Sequence, residues 1–246
     1  MKYFTSIDEE TNLTQNTGSN LRAPEKLLAL ATLLISQCSF SQHLIQQIIY
    51  ASHGAKLVDA KRSLKKFPNP KARFNFLCEF PYEHSDPALI NVFDLARSIF
   101  KDVYEFRNIL AHEVWASSEQ FPESIIFSSL DANSRLQMAQ GRLWHDSAVT
   151  PENVYDETIR FIRGAKVVTL PHIELAISDI NVCLWILMNM HSLITTKDQE
   201  KKNAARQAFQ RFKITSHLFS KGDQIPETVE FSNSSSKTIM GKSNLS

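Results

Sequence analysis

Glycine is scarce in this 246-residue chain, with six in all. That scarcity disfavours β-sandwiches and glycine-rich phosphate loops, which need residues free to adopt positive φ. Cysteine is equally sparse: Cys38, Cys78 and Cys183 are isolated, odd in number and set in apolar, helical-looking surroundings. They read as small core residues in a reducing compartment, neither a disulfide framework nor a metal set. Long apolar runs are also missing. The longest, residues 27–35, is too short to cross a bilayer. Met1-Lys2 leads into polar residues rather than the apolar stretch of a secretory signal, so the tripeptides that begin at Asn12 and Asn233 carry no glycosylation meaning. The expectation is a cytoplasmic protein with no membrane partner.

Charge of one sign is lacking overall, with a formal net charge of +1. Its distribution is less even. Residues 56–73 hold seven Lys/Arg and one acid, and residues 201–213 hold five Lys/Arg and no acid. Between 74 and 95 there are four acids and no Lys or Arg. The basic stretches contain or adjoin Phe67, Phe74, Phe209 and Phe212, a composition compatible with phosphate contact and base stacking. It is equally compatible with amphipathic helices that bury Phe and expose Lys.

What is present is helical periodicity. Residues 1–22 are polar and read as a mobile arm. Periodicity begins at Pro24 and runs to about Ser52, with Ser39 or Ser41 as a candidate break and His53-Gly54 as a helix end. Shorter helices are predicted over about 56–67 and 70–80. Asp86-Pro87 opens a long helix predicted to run to Trp115. Residues 121–149 change character: 124–130 read as a strand, 131–133 as a turn and 135–144 as a return strand, a hairpin-like insertion. Thr150-Pro151-Glu152 starts a helix ending near Gly164, with 158–163 also readable as a strand. Thr169 caps a last core helix with the stripe Ile173, Ile177, Ile180, Leu184, Leu187, His191 and Ile194. A basic helix follows over about 198–219, and residues 221–246 are Ser- and Asn-rich and read as a disordered tail. The predicted architecture is mainly α: an up-and-down helical bundle over 23–220 with a small β-hairpin-like insertion at about 121–149.

One position breaks the pattern. Leu89, Phe93, Ala96, Phe100, Val103, Arg107, Leu110 and Val114 recur in steps of four and three, so a guanidinium occupies a place in an apolar stripe. Arginine does not shed its charge, and burying it unpaired costs several kcal/mol, on the order of those measured for broken buried pairs. It must reach water, meet an acid, or face a groove where an anion binds. Asn108 and His112 stand four residues apart beside it, so a cation, an amide and a titratable imidazole converge within two turns. Glu113 follows directly, a carboxylate whose charge would either repel phosphate or favour the protonated form of the neighbouring imidazole. Elsewhere the chemistry is blander. His191 reads as a core histidine, Trp144-His145-Asp146 as a turn, and His84-Ser85-Asp86 as an N-cap region. No histidine pair has metal-ligand spacing, and no phosphate loop or nucleophile elbow is present, so no metal or cofactor is expected.

The run Phe-Arg-Asn-Ile-Leu-Ala-His at 106–112 resembles the signature of the HEPN superfamily (higher eukaryotes and prokaryotes nucleotide-binding). That signature is an Arg, a polar residue that is often Asn, and a His after four to six intervening positions late on a helix of an all-α bundle. Four residues separate Arg107 from His112 here. The resemblance covers the helix at about 87–115 and, loosely, the helical layout of 24–195. It implies a metal-independent endoribonuclease of a toxin–antitoxin or antiviral-defence kind, assembled as a homodimer, with RNA as substrate and an antitoxin or other protein as a further partner. In that reading Arg107 holds the scissile phosphate, His112 transfers protons and Asn108 orients one of them. Two further readings stand beside it: a non-catalytic HEPN-like module binding nucleotide, RNA or protein, and a structural domain whose Arg107 makes a buried ion pair.

Overall fold

A computed structural model describes residues 2–7, 24–52, 57–79, 87–116, 121–143, 145 and 150–212. The predicted helix end at His53-Gly54, the N-cap at Asp86, Trp144 and Asp146, most of the N-terminal arm and everything after 212 lie outside these residues.

The described chain is mainly α. In order it forms β1 (Thr5–Ser6), α1 (Glu25–Ser52), α2 (Leu57–Lys66), α3 (Pro70–Glu79), α4 (Pro87–His112), β2 (Val114–Ala116), β3 (Ser124–Ser128), α5 (Leu130–Leu143), α6 (Pro151–Gly164), β4 (Lys166–Thr169), α7 (Leu170–Thr195) and α8 (Gln199–Arg211). α7 is the central helix, packed against α1, α4 and α8. Lys26 meets Glu174 and Gln37 meets Asn181, so α1 and α7 run the same way. α4 runs against them, with Ala96 beside Cys183 and Phe106 at the level of Tyr3 and Asp179. α8 folds back along α7, where Phe209 and Phe212 pack on Trp185. The four helices thus alternate in direction along the chain, an up-and-down bundle.

α1 does not break at Ser39 or Ser41. Their hydroxyls donate back to the carbonyls of Ile35 (3.0 Å) and Cys38 (2.7 Å), so neither competes with the helical amides. α1 and α7 are each long and apolar enough to cross a membrane by length and composition. Both supply core residues, among them Leu34, Cys38, Ile45, Ile180, Cys183 and Leu187. Runs counted only between polar residues understate this, because each helix interleaves single polar positions with its apolar ones.

Three readings change: two expectations are corrected and one alternative falls away. First, 121–149 is not a hairpin. β3 is a strand, but 130–143 is helix α5, started by Ser129, whose hydroxyl accepts from the Ala132 amide at 3.1 Å. Leu136 is its one buried apolar side chain, so its periodicity was faint. Second, the helix read from Thr150 to near Gly164 forms as α6, so the strand alternative at 158–163 falls away. Thr150 and Asn153 cap that helix reciprocally, with amide-to-side-chain distances of 2.8 and 3.4 Å. Third, residues 2–7 are no mobile arm: Tyr3 is fully buried, and Thr5 and Ser6 pair with Val167 and Lys166.

The strands form one antiparallel sheet in the order β1-β4-β3-β2. Alternation in β3 and β4 explains its place. Ile125, Phe127 and Val168 face the helical core, whereas Ile126 and Val167 face a second cluster with Leu136, Phe161 and Ile162 of α5 and α6. Covered on both faces, β3 reads as continuous Ile-Ile-Phe rather than as alternating apolar and polar residues. The molecule is a helical bundle, a small sheet and a helix pair in three layers.

Candidate functional site

The last two turns of α4 carry Arg107, Asn108 and His112, and His112 is the final helical residue. The helix stops there because the chain turns into β2, so Val114 and Trp115 are strand rather than helix as predicted. The Glu113 amide still bonds the Ile109 carbonyl at 3.1 Å, and the Trp115 indole donates to the Leu110 carbonyl at 2.9 Å. Those bonds satisfy carbonyls that a helix end otherwise leaves open. The sheet therefore fixes where the three polar side chains sit.

Arg107 is half-buried, as its place in the stripe predicts, between Val103 and Leu110, both buried. Its Nη1 donates to Asn108 Oδ1 at 3.1 Å and lies 3.5 Å from His112 Nε2, a long contact. For the guanidinium to donate to that nitrogen the imidazole proton must sit on Nδ1. The guanidinium carbon lies 5.8 Å from the centre of the Tyr104 ring. Arg107 Nε is buried with no hydrogen-bond partner. Among the described residues no carboxylate lies within 4.0 Å of Arg107. The structural ion pair that would have explained the arginine is therefore not made by those residues.

Glu113 is already engaged. Its Oε1 accepts from Lys166 Nζ of β4 at 2.6 Å, with both side chains about four-fifths buried. The carboxylate that threatened to repel an anion is thus paired with a lysine of β4. Cys38 of α1 lies close enough to Arg107 to feel its charge. Burial nonetheless pushes the Cys38 thiol up to about 12, with the guanidinium opposing, so it stays a thiol and not a nucleophile.

The structure thus brings together all three predicted residues. Exposed His112 and half-buried Asn108 and Arg107 form one continuous polar strip. Sequence reasoning passed over Tyr104, although its three-residue spacing from Arg107 places it on the same face. It also passed over Lys166 and Tyr3, which no local spacing connects to α4. His191, expected in the core, is only half-buried near the end of its stripe, whereas His145 lies in a turn, as read. Among the described residues no group of three or more His, Cys, Asp or Glu side chains converges as a metal site. Phe74 and Phe209 are buried, so in these places the basic stretches are amphipathic helices with Phe inside.

Comparisons with protein-family models, with curated proteins and with solved structures return no match to this chain. Arg107, Asn108 and His112 are a candidate site on the geometry of their contacts alone.

Proposed function

We propose that this chain is a HEPN-like, metal-independent endoribonuclease that acts as a homodimer. The observation that carries the reading is Arg107: a permanent cation in an apolar stripe, without a carboxylate among the described residues, joined to an amide and an imidazole. Such a group is poised for an anion. RNA supplies one whose cleavage needs only proton transfer and charge stabilisation. A base removes the 2′-hydroxyl proton, the 2′-oxygen attacks phosphorus, and the P–O5′ bond breaks as an acid protonates the leaving oxygen. The products are a 2′,3′-cyclic phosphate and a 5′-hydroxyl. In this scheme Arg107 holds the non-bridging oxygens and stabilises the phosphorane, a role suited to a bidentate fork. His112 moves protons. Asn108, bonded to the guanidinium, positions it.

One imidazole per chain does not serve as base and acid in the same turnover. A second copy related by a two-fold axis supplies the other, and the exposure of His112 at a helix end leaves it accessible to such a copy. A role in toxin–antitoxin or antiviral defence, with an antitoxin as protein partner, follows from the HEPN resemblance alone. The same single imidazole favours one second reading, a non-catalytic module in which the strip binds RNA, nucleotide or a protein carboxylate. The deciding assay incubates purified protein with single-stranded and structured RNA in EDTA, alongside His112→Ala and Arg107→Ala. Cleavage with cyclic or 3′-phosphate ends, lost in both variants, is the expected result. Intact RNA after incubation with folded, dimeric wild type would sink the catalytic reading and leave the binding module.

A further inference from the structure

A second cationic depression lies along the same helix, and it shares no residue with the Arg107 strip. It has a volume of about 340 Å³ and sits between α3 and α4. Lys71 and Asn75 line it from α3, and Arg97, Ser98 and Lys101 from α4. Arg97 is partly neutralised by Asp94, 2.8 Å away. Asp94 also lines the hollow, its carboxylate paired with Arg97; Lys71 and Lys101 have no carboxylate within 4.0 Å among the described residues, so two like charges from different helices face one hollow without an ion pair of their own. That arrangement does not stabilise the fold. It does suit an anion with several oxygens, since two ammonium groups, a guanidinium, a hydroxyl and an amide all offer donors.

The hollow is mechanically tied to the candidate site. Its floor is Phe74 stacked on Phe100, with ring centres 4.9 Å apart. Phe100 stacks in turn on Tyr104 at 5.5 Å, and Tyr104 carries the Arg107 guanidinium at 5.8 Å. Both phenylalanines are 2% exposed, so they hold the hollow in place rather than offer faces for bases. Lys101 and Asn108 are seven residues apart on one face of α4, which at 1.5 Å per residue is about 10 Å. A strand lying on Arg107 reaches Lys101 within a few nucleotides.

We propose that the α3–α4 hollow is a phosphodiester-binding subsite that anchors single-stranded RNA upstream or downstream of the phosphate held at Arg107. The proposal rests on the ribonuclease or RNA-binding reading of that site. Lys71 and Lys101 act as backbone contacts, and their ammonium groups reach phosphate oxygens without reading bases, since the aromatic residues that line the hollow, Phe74 and Phe100, are buried. The hollow explains why cations cluster on α3 and on this face of α4, whereas the phenylalanines between them are buried.

The test uses full-length protein with His112→Ala to prevent cleavage, and fluorescein-labelled oligouridylate of dinucleotide and dodecanucleotide length. Affinity is measured by anisotropy over a range of salt, with and without Lys71→Gln/Lys101→Gln. Both lysines are exposed, and circular dichroism checks that the double variant folds. For the long strand, loss of two phosphate contacts predicts an affinity drop of about tenfold or more and a salt slope shallower by about 1.4. Dinucleotide affinity stays unchanged. In His112→Ala protein without lysine substitutions, bound dodecanucleotide should protect Lys71 and Lys101 from acetylation, while Lys197 of the α7–α8 turn stays reactive. Equal long-strand affinity and slope in the folded double variant overturn the subsite and leave the Arg107 reading intact. Failure of the His112→Ala protein to bind either oligonucleotide overturns both.

Discussion

Arg107 holds a charge where α4 otherwise buries Phe100, Val103 and Leu110. Its Nε has no partner and no carboxylate of the described residues lies near it, so its contribution to folding is small or unfavourable. Arg107→Met is therefore expected to leave stability within about 1 kcal/mol of wild type, or to raise it, while abolishing RNA binding. Urea unfolding beside an RNA-binding assay checks this. A loss of about 3–5 kcal/mol, the figure for a broken buried pair, would show that Arg107 has a partner and is structural. Tyr3 presents the opposite case. Its ring stacks on Phe106 at 5.2 Å and its hydroxyl donates to Asp179 at 2.7 Å, while burial and that carboxylate hold its proton on far above the ordinary range. Tyr3→Phe should cost about 1 kcal/mol and Tyr3→Ala about 3–5 kcal/mol, read as falling unfolding midpoints.

Among the elements, two junctions hold the site end of the bundle. The first is the Glu113–Lys166 pair, which ties the end of α4 to β4. Glu113 Oε2 already lacks a partner. Lys166→Met should thus cost on the order of 3 kcal/mol by stranding the carboxylate, and Glu113→Gln in the same chain should recover part of that loss. A double-mutant cycle with no coupling between the two positions would refute the tie. The second junction is the start of α7, where His172 Nδ1 accepts from the Thr169 amide at 3.2 Å. Burial lowers the His172 pKa below 6.5. The unfolded chain protonates near 6.5, the folded chain only at lower pH, so this contribution is complete above 6.5 and is lost as pH falls through the folded value. His172→Gln keeps an acceptor for the amide and removes the titration. Its melting temperature should fall less than wild type's between pH 7.5 and about 5. Parallel curves for the two proteins would exclude His172 as the source.

At the scale of the whole molecule, the helical bundle, sheet and α5–α6 pair are one body because β3 and β4 are covered on both faces. The N-terminal segment belongs to that body. Deleting residues 1–7 removes β1, the Tyr3 plug and the Lys2–Asp179 pair together, and it should destabilise the chain by more than Tyr3→Ala alone. Calorimetry of the truncated chain tests this. An unchanged transition would mean that β1 docking contributes nothing. If two copies build the active site, specific activity should rise with protein concentration until the dimer is saturated, which dilution series and sedimentation can compare.

The helices were legible because they carry their own signals: stripes at steps of four and three, Pro24, and the Thr150 and Thr169 caps. Arg107, Asn108 and His112 were legible for the same reason, since one helix sets all three positions by spacing alone. Residues 130–143 misled because α5 buries only Leu136 among its apolar side chains, against the sheet's outer face, so its pattern is weak until that face exists. β1 and β4 have four residues or fewer, and so short a strand is specified by its neighbours rather than by its own sequence. Local periodicity thus determined the bundle and the polar strip on α4. Only the tertiary structure decided that Glu113 turns to Lys166, that Tyr3 closes the core, and that Arg107 meets no described acid. Each of these is a contact between residues far apart in the chain, and spacing along one element holds no information about them.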